Sequence, residues 1–497
     1  MTLLRKLAGE TAIYGTGSIL SKILNYIFLT IYLTRVFIGP DKHLFGVYKD
    51  LYFYMALFLI ILSFRMETTY FRFAKENRAS VTTMSMAFLT GLAGLFVGIV
   101  WIFKFNIANS MEYPGMTKHL VMLVWVLFFD VLSAVPFASL RQQNRPWLFL
   151  SLRLGSILLN LGFVLFFLEI LPRLAKGPGF WSSIFSMGDK LFFVFLGNLL
   201  ASSLTLVLLL PLMKKTDFKW DFSFLKRMLS YSWPLVIVGI AGVINQSSYI
   251  TFQKWWLPHS VTENLTEGAG FAAAASLAIL LNLFTVAFNY AAEPFFFAHQ
   301  HKEDARQVYA DVALAFTIIG AVMMLGILAY IDVIQLLLGK SYREGLSVVP
   351  ILLVSYLLLG IYYNFSTWYK LADKTLYGAL IAGIGALMTI GLNYLAIKTF
   401  DFGVVGSAWA ALSCYLFMCV TSYMQGQKYF PIPYKIMQMI GWIVGALIIY
   451  FAMEWLRQFY EGNLIVILLV NTILFSGYLF LIYTVEKPLV RQLKRGG

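Results

Sequence analysis

The chain has 497 residues, 60% of them hydrophobic and only 12% charged, with a formal net charge of +14. A soluble globular protein carries about 25% charged residues, so this composition and a mean hydropathy of +0.76 exclude an ordinary soluble enzyme and point to an all-α, polytopic membrane protein. The cationic excess fits Lys and Arg gathered on cytoplasmic loops better than a nucleic-acid surface, so no nucleic-acid partner is expected.

Apolar segments long enough to cross roughly 30 Å of hydrocarbon as a helix recur about 14 times. Their limits are 10–35, 45–71, 81–103, 119–140, 147–171, 190–213, 227–254, 269–298, 307–330, 346–369, 375–397, 403–426, 434–456 and 463–485. They are too long and too continuous for barrel strands, which alternate over about 10 residues. Met1 to Lys6 followed by the first long run reads as a retained span, not a cleaved signal peptide. With the N-terminus in the cytoplasm, about 22 Lys and Arg fall on inner segments, about 11 on outer ones and about five within spans. An even span count then leaves both termini in the cytoplasm. The loops are short, so no separate soluble domain is expected. The segment 214–226, near the midpoint, mixes Trp220, Phe222 and Phe224 with Lys and Asp, the pattern of an amphipathic connector lying in the interface.

Polar groups recur inside the spans. In span 1, Ser18, Lys22 and Asn25 fall at i, i+4 and i+7 and share a face. A cation at membrane depth costs at least about 2.5–3.5 kcal/mol, so Lys22 faces an anionic substrate or pairs with a carboxylate on span 2. Span 2 carries Asp50, Tyr54, Phe58, Ile61 and Arg65 along one stripe, with Glu67 just off it. Near the inner mouth, Arg65 also fits an anchor whose long side chain reaches the interface at small cost. Asp130 in span 4 and Arg153 in span 5 are placed to neutralise each other. Span 7 places Gly239, Gly242, Asn245 and Gln246 where apolar residues would suffice, as span 1 does with Gly15, Gly17, Ser18 and Asn25. Span 8 aligns Asn282, Thr285, Asn289 and Glu293, and Pro294 invites a kink. Glu293 fits either a proton or cation site or a satisfied structural carboxylate. Together these groups suggest a hydrated, charge-bearing passage.

Other fragments carry less. Gly339-Lys340-Ser341 lacks the earlier glycine and the strand of a phosphate-binding loop. His299 and His301 lack further ligands at metal-site spacing, and no metal or cofactor is expected. Asn264-Leu265-Thr266 matches a glycosylation sequon. Gly94/Gly98 and Gly441/Gly445 have the spacing of close helix packing. Cys414 and Cys419, on one apolar helix, read as packing residues.

The order of short motifs adds a family. Tyr14-Gly15-Thr16-Gly17-Ser18 and Phe45-Gly46-Val47-Tyr48 open the chain; Glu67-Thr68 and Phe71-Arg72-Phe73 close span 2; Ala292-Glu293-Pro294-Phe295 closes span 8. Further on come Val349-Pro350, Gly360-Ile361-Tyr362, Trp368-Tyr369-Lys370, Asp373-Lys374-Thr375, Asn393-Tyr394, Gly403-Val404-Val405-Gly406 and Tyr429-Phe430-Pro431. In this series the chain resembles the Wzx-type polysaccharide flippases, the polysaccharide transporter branch of the multidrug/oligosaccharidyl-lipid/polysaccharide (MOP) exporter superfamily. It departs at Arg65, where a glycine is usual, and at Ser247-Ser248 before Tyr249, where relatives often carry an Asp.

The resemblance implies two six-helix lobes around a central cavity, residues 1–213 and 227–427, joined by the linker 214–226 and followed by spans 13 and 14 with a basic tail in 428–497. It implies a multi-pass protein of the bacterial inner membrane that is a transporter, not an enzyme. The substrate would be an undecaprenyl-diphosphate-linked oligosaccharide, a repeat unit of O-antigen (lipopolysaccharide), capsule or exopolysaccharide, moved from the inner to the outer leaflet. The cavity residues expected are Lys22, Asn25, Ser18, Asp50, Arg65, Glu67, Arg153, Asn245, Gln246, Asn282, Asn289 and Glu293, with Lys22 first to meet the diphosphate. Membrane lipids and other polysaccharide-assembly membrane proteins are the partners it admits. With no nucleotide site visible, coupling to H+, Na+ or the membrane potential is the default. A lipid II flippase, a cation-coupled multidrug exporter and a membrane glycan polymerase or ligase are the alternatives.

Overall fold

The computed structural model describes residues 24, 29–143, 145–213, 221–299, 302–372, 374–460 and 462–487. Among them every regular element is helical. Thirteen of these helices are long and apolar enough to cross a membrane, and they stand where spans 2–14 are expected. Span 1 lies mostly outside the described residues, as do most of the connector 214–226 and the end of the basic tail.

The chain divides into two compact units, one containing Gly46–Thr251 and the other Thr30–Phe45 with residues from Phe252 on. In chain order the helices are α1 (Ile31–Val36), α2 (Lys42–Ser63), α3 (Met66–Ser110), α4 (Thr117–Gln142), α5 (Pro146–Leu165), α6 (Leu171–Leu174), α7 (Phe180–Phe185), α8 (Lys190–Leu209), α9 (Phe222–Ser247) and α10 (Tyr249–Trp256). There follow α11 (Val261–His299), α12 (Ala305–Ala329), α13 (Ile331–Ile334), α14 (Val349–Phe365), α15 (Thr367–Leu371), α16 (Thr375–Tyr394), α17 (Gly403–Tyr429), α18 (Ile436–Arg457) and α19 (Leu464–Val485).

In the first unit two local breaks shape the path. Phe64 and Arg65 both take left-handed backbone, φ 47° and 51°, and separate α2 from α3. Asn77 is extended inside α3, φ −154° and ψ 94°, and its side-chain oxygen accepts from the Ser80 amide at 3.1 Å. That bond caps the next span, because the first amides of a helix have no internal acceptor. Around these breaks Met66, Tyr70, Met84, Val131, Val135 and Met228 form one buried core. Lipid tails are as apolar as these side chains, so close packing rather than escape from water holds such helices together. Gly94 and Gly98 do not take part as their spacing predicts. Among the described residues a Cβ at either would meet nothing within 4 Å, and both lie on the exposed side of α3.

In the second unit the segment 30–45 is clasped by the turns before α14. The Gly339 amide donates to Thr34 Oγ1 at 3.1 Å, Tyr342 Oη donates to the Phe37 carbonyl at 2.5 Å, and Lys42 pairs with Glu344. Gly339 is thus a packing residue: an added Cβ would run into the Thr34 carbonyl. Gly360 on α14 is required for the same reason, with Phe316 and Thr285 against it. Spans 13 and 14 are tied by polar groups: Tyr478 Oη donates to the Trp442 carbonyl at 2.7 Å, Trp442 Nε1 to Glu486 at 2.9 Å, and Asn471 to the Ala329 carbonyl of α12 at 2.8 Å. Cys414 and Cys419 are buried, free thiols.

Candidate substrate-facing site

The first unit holds most of the expected polar positions. Asp50 is fully buried on α2. Its carboxylate accepts from Tyr113 Oη at 2.6 Å and from Thr251 Oγ1 at 2.5 Å. A buried carboxylate needs such donors, because leaving it unsatisfied costs more than a neutral hydrogen bond returns. Neither donor stands out in the sequence. Tyr113 sits in the turn between α3 and α4, and Thr251 is one polar residue in an apolar run.

Arg65 occupies the break between α2 and α3. Its guanidinium rests against α9 at Gly239, where an added Cβ would come within 2.7 Å of Nη2 and 2.9 Å of Nε. Below it Thr69 and Ser232 share a side-chain hydrogen bond, and Ser232 Oγ also donates to the Met228 carbonyl at 2.9 Å. Ser232, Gly239 and Gln246 are spaced by seven and lie on one face of α9, so glycine on that face makes room for the arginine. The nearest acidic neighbour in sequence, Glu67, is taken by Arg141 at 2.7 Å. Among the described residues Arg65 forms no ion pair or hydrogen bond through its guanidinium. Glu67 acts on it only as a nearby charge, and a half-buried cation inside a membrane span without a contact carboxylate is costly. The left-handed φ adds roughly 1–2 kcal/mol for a side chain with a Cβ.

Towards the ends of α3 and α9, Arg227 pairs with Glu76 at 3.2 Å and Arg72 lies over the Tyr231 ring at 4.5 Å. Glu67 therefore belongs with a set of paired charges. Asp130 lies beside Ser202 and feels Arg153 only as a charge at longer range. Arg153 is exposed and covers the Phe137 ring at 5.1 Å, so the two neighbours do not form a contact pair. Asn245 and Gln246 are half-buried on α9.

In the second unit Asn282 and Asn289 are half-buried on α11, whereas Thr285 is fully buried and bonds back to the Leu281 carbonyl at 3.2 Å. The helix continues through Pro294 to His299. The Glu293 side chain, like Ser18, Lys22 and Asn25, falls outside the described residues. Sequence reasoning passed over Lys254, which is 1% exposed and lies 4.7 Å over the Trp255 ring; at the last position of an expected span it reads as an interface residue. Asn264 is not a free sequon. Its amide nitrogen donates to the Lys254 and Leu257 carbonyls, each at 3.0 Å.

The described residues thus form an all-helical chain with thirteen candidate spans, a satisfied buried carboxylate at Asp50 and, at Arg65, a half-buried arginine within a span. Neither a protein-family model nor a curated protein matches the sequence. Solved structures do. The lipid II flippase MurJ, in an inward closed conformation, superposes with a TM-score of 0.72 at 13% identity, over 95% of this chain and 98% of that one. A multidrug resistance MATE family transporter of the MOP superfamily, inward-facing, gives 0.59 at 14% identity over 84% and 97%. The Vibrio cholerae MATE transporter VcmN gives 0.61 at 12% over 86% and 97%. At these identities the likeness establishes a shared fold.

Proposed function

We propose that this protein is a flippase for polyprenyl-diphosphate-linked oligosaccharide, carrying the head group from the inner to the outer leaflet of the bacterial inner membrane by alternating access. Arg65 is the observation that carries the reading: a guanidinium within a candidate span, in no contact ion pair among the described residues and given room by Gly239. A planar fork of donors suits a diphosphate, which accepts paired charge-assisted hydrogen bonds. In this proposal Lys22 is the second cation, and Asn245, Gln246, Asn282 and Asn289 offer hydrogen bonds to sugar hydroxyls. The lobes 1–213 and 227–427 rock about the linker, and an H+ or Na+ gradient or the membrane potential drives the cycle. Arg153, committed to an aromatic ring, is a weaker ligand than the sequence suggests.

Lipid II is the second reading, favoured by the fold likeness over nearly the whole length of a lipid II flippase. It presents the same diphosphate to the same cations, so the two readings differ in the glycan. Vesicles containing the protein and either labelled lipid-linked oligosaccharide or labelled lipid II separate them: translocation of the first alone supports the proposal, and of lipid II alone overturns it in favour of the second.

A further inference from the structure

Between α6 and α8 the chain leaves the spans and forms the six-residue helix α7. Phe180, Trp181, Ile184 and Phe185 fall on one side of it, and Ser182, Ser183 and Ser186 on the other. Ser183 donates to the Gly179 carbonyl at 3.3 Å and Ser186 to the Ser183 carbonyl at 2.8 Å, so the serines spend their hydroxyls on the local backbone. Trp181 packs on Phe166 with ring centres 6.1 Å apart, and Phe185 stacks on Phe193 of α8 at 6.3 Å and 7°. These contacts fix α7 against the ends of two spans, yet Phe180 remains 70% exposed and Met187 53%. Asp189 closes the segment by capping α8 through the Phe192 amide at 2.7 Å. Just before α7 in the chain stand Arg173, its side chain 75% exposed and in a long surface pair with Glu169 at 3.7 Å, which such exposure makes weak, and the exposed Lys176.

A rigid aromatic face preceded in the chain by exposed cations fits neither water nor the middle of a bilayer. It fits the headgroup boundary, where aromatic rings and the apolar part of an interfacial helix sit while cations meet lipid phosphates. We propose that α7 is a lipid-binding surface, with Phe180 and Met187 entering the acyl boundary and Arg173 and Lys176 holding anionic phospholipid headgroups. Charge complementarity selects a lipid surface over a protein occupant, and the inference is independent of the transported substrate.

The test uses the full chain in vesicles of phosphatidylcholine with or without phosphatidylglycerol. An environment-sensitive fluorophore is placed by Phe180→Cys, Met187→Cys or, on the opposite side, Ser183→Cys; the native Cys414 and Cys419 are buried. The first two labels are expected to emit at shorter wavelength, and to be quenched several-fold better by lipid-borne spin labels than by aqueous iodide. The Ser183→Cys label shows the reverse order. Phosphatidylglycerol increases the shift, and Arg173→Gln with Lys176→Gln removes that increase. Iodide quenching at positions 180 and 187 equal to that at 183 overturns the proposal, and is also the outcome expected of a face reserved for a protein partner. An emission shift indifferent to phosphatidylglycerol overturns the anionic headgroup.

Discussion

Replacing Arg65 by glycine and by alanine separates two roles that meet at this residue. Both variants remove the guanidinium. Only glycine relieves the backbone, whose φ of 51° costs a Cβ-bearing residue roughly 1–2 kcal/mol. Glycine also loosens the unfolded chain, offsetting about 0.4–1 kcal/mol of that gain. Arg65→Gly is therefore expected to be more stable than Arg65→Ala by about 0.5–1 kcal/mol. Each removes a cation that makes no contact ion pair among the described residues, so neither is expected to lose one. For the substrate, a charge-assisted hydrogen bond contributes about 1.5–3 kcal/mol, so both variants are expected to bind a polyprenyl diphosphate roughly 10–150-fold more weakly. Arg65→Lys keeps a point charge and falls between. Thermal unfolding in detergent micelles reads the first quantity, and equilibrium binding of a labelled polyprenyl diphosphate reads the second. Equal stability of the glycine and alanine variants would refute the backbone argument. Undiminished affinity in both would refute the assignment of Arg65 to the phosphate.

Further outcomes follow from the same contacts. Tyr113→Phe removes one donor from the buried Asp50 carboxylate and is expected to destabilise by roughly 1–3 kcal/mol, measured by thermal unfolding. Gly239→Ala drives a Cβ into the Arg65 guanidinium; because that group is the far end of a flexible chain, folding is expected to survive while diphosphate binding weakens, and unchanged binding would contradict the geometry. Asn264→Ala breaks two buried hydrogen bonds and is expected to cost roughly 1–3 kcal/mol in the same unfolding assay. Burial acts to raise the Asp189 carboxyl, but the bonds from His119 and the Phe192 amide outweigh it and hold the group below the usual carboxylate range. A depressed carboxylate contributes stability that is present above its unfolded pKa and lost as pH falls through the folded one. Wild type is thus expected to lose stability below about pH 4, and Asp189→Asn to flatten that part of the profile.

The spans were legible because hydropathy over about 20 residues is set by the bilayer, and expected spans 2–14 coincide with observed helices. The break at Phe64–Arg65 was not, since neither residue is a turn former. The one signal was comparative: a position usually held by glycine in the family the chain resembles is here left-handed. Several motifs that carried that resemblance meet in packing. Trp368 stacks on Tyr429 with ring centres 5.7 Å apart, Tyr429 shares a hydrogen bond with Tyr377 at 2.7 Å, and Gly426 makes room for the Trp368 ring. Of the polar stripes, spacing alone gave the shared faces but not the partners. Glu67 finds Arg141 and Arg153 finds an aromatic ring. Such choices depend on which helices adjoin, information that periodicity within one helix does not contain. Gly94/Gly98 show the same limit: spacing predicts a packing face, yet no described side chain comes within 4 Å of a Cβ placed there.

The most direct test of the account is translocation by the purified protein in sealed vesicles. Fluorescent polyprenyl-diphosphate oligosaccharide is incorporated in both leaflets, and its exposure to an external reductant is followed over time. Wild type is predicted to render the inner-leaflet pool accessible, and Arg65→Ala to slow that exposure. A wild-type protein that exposes no polyprenyl-diphosphate glycan under an imposed ion gradient or membrane potential would contradict the central claim.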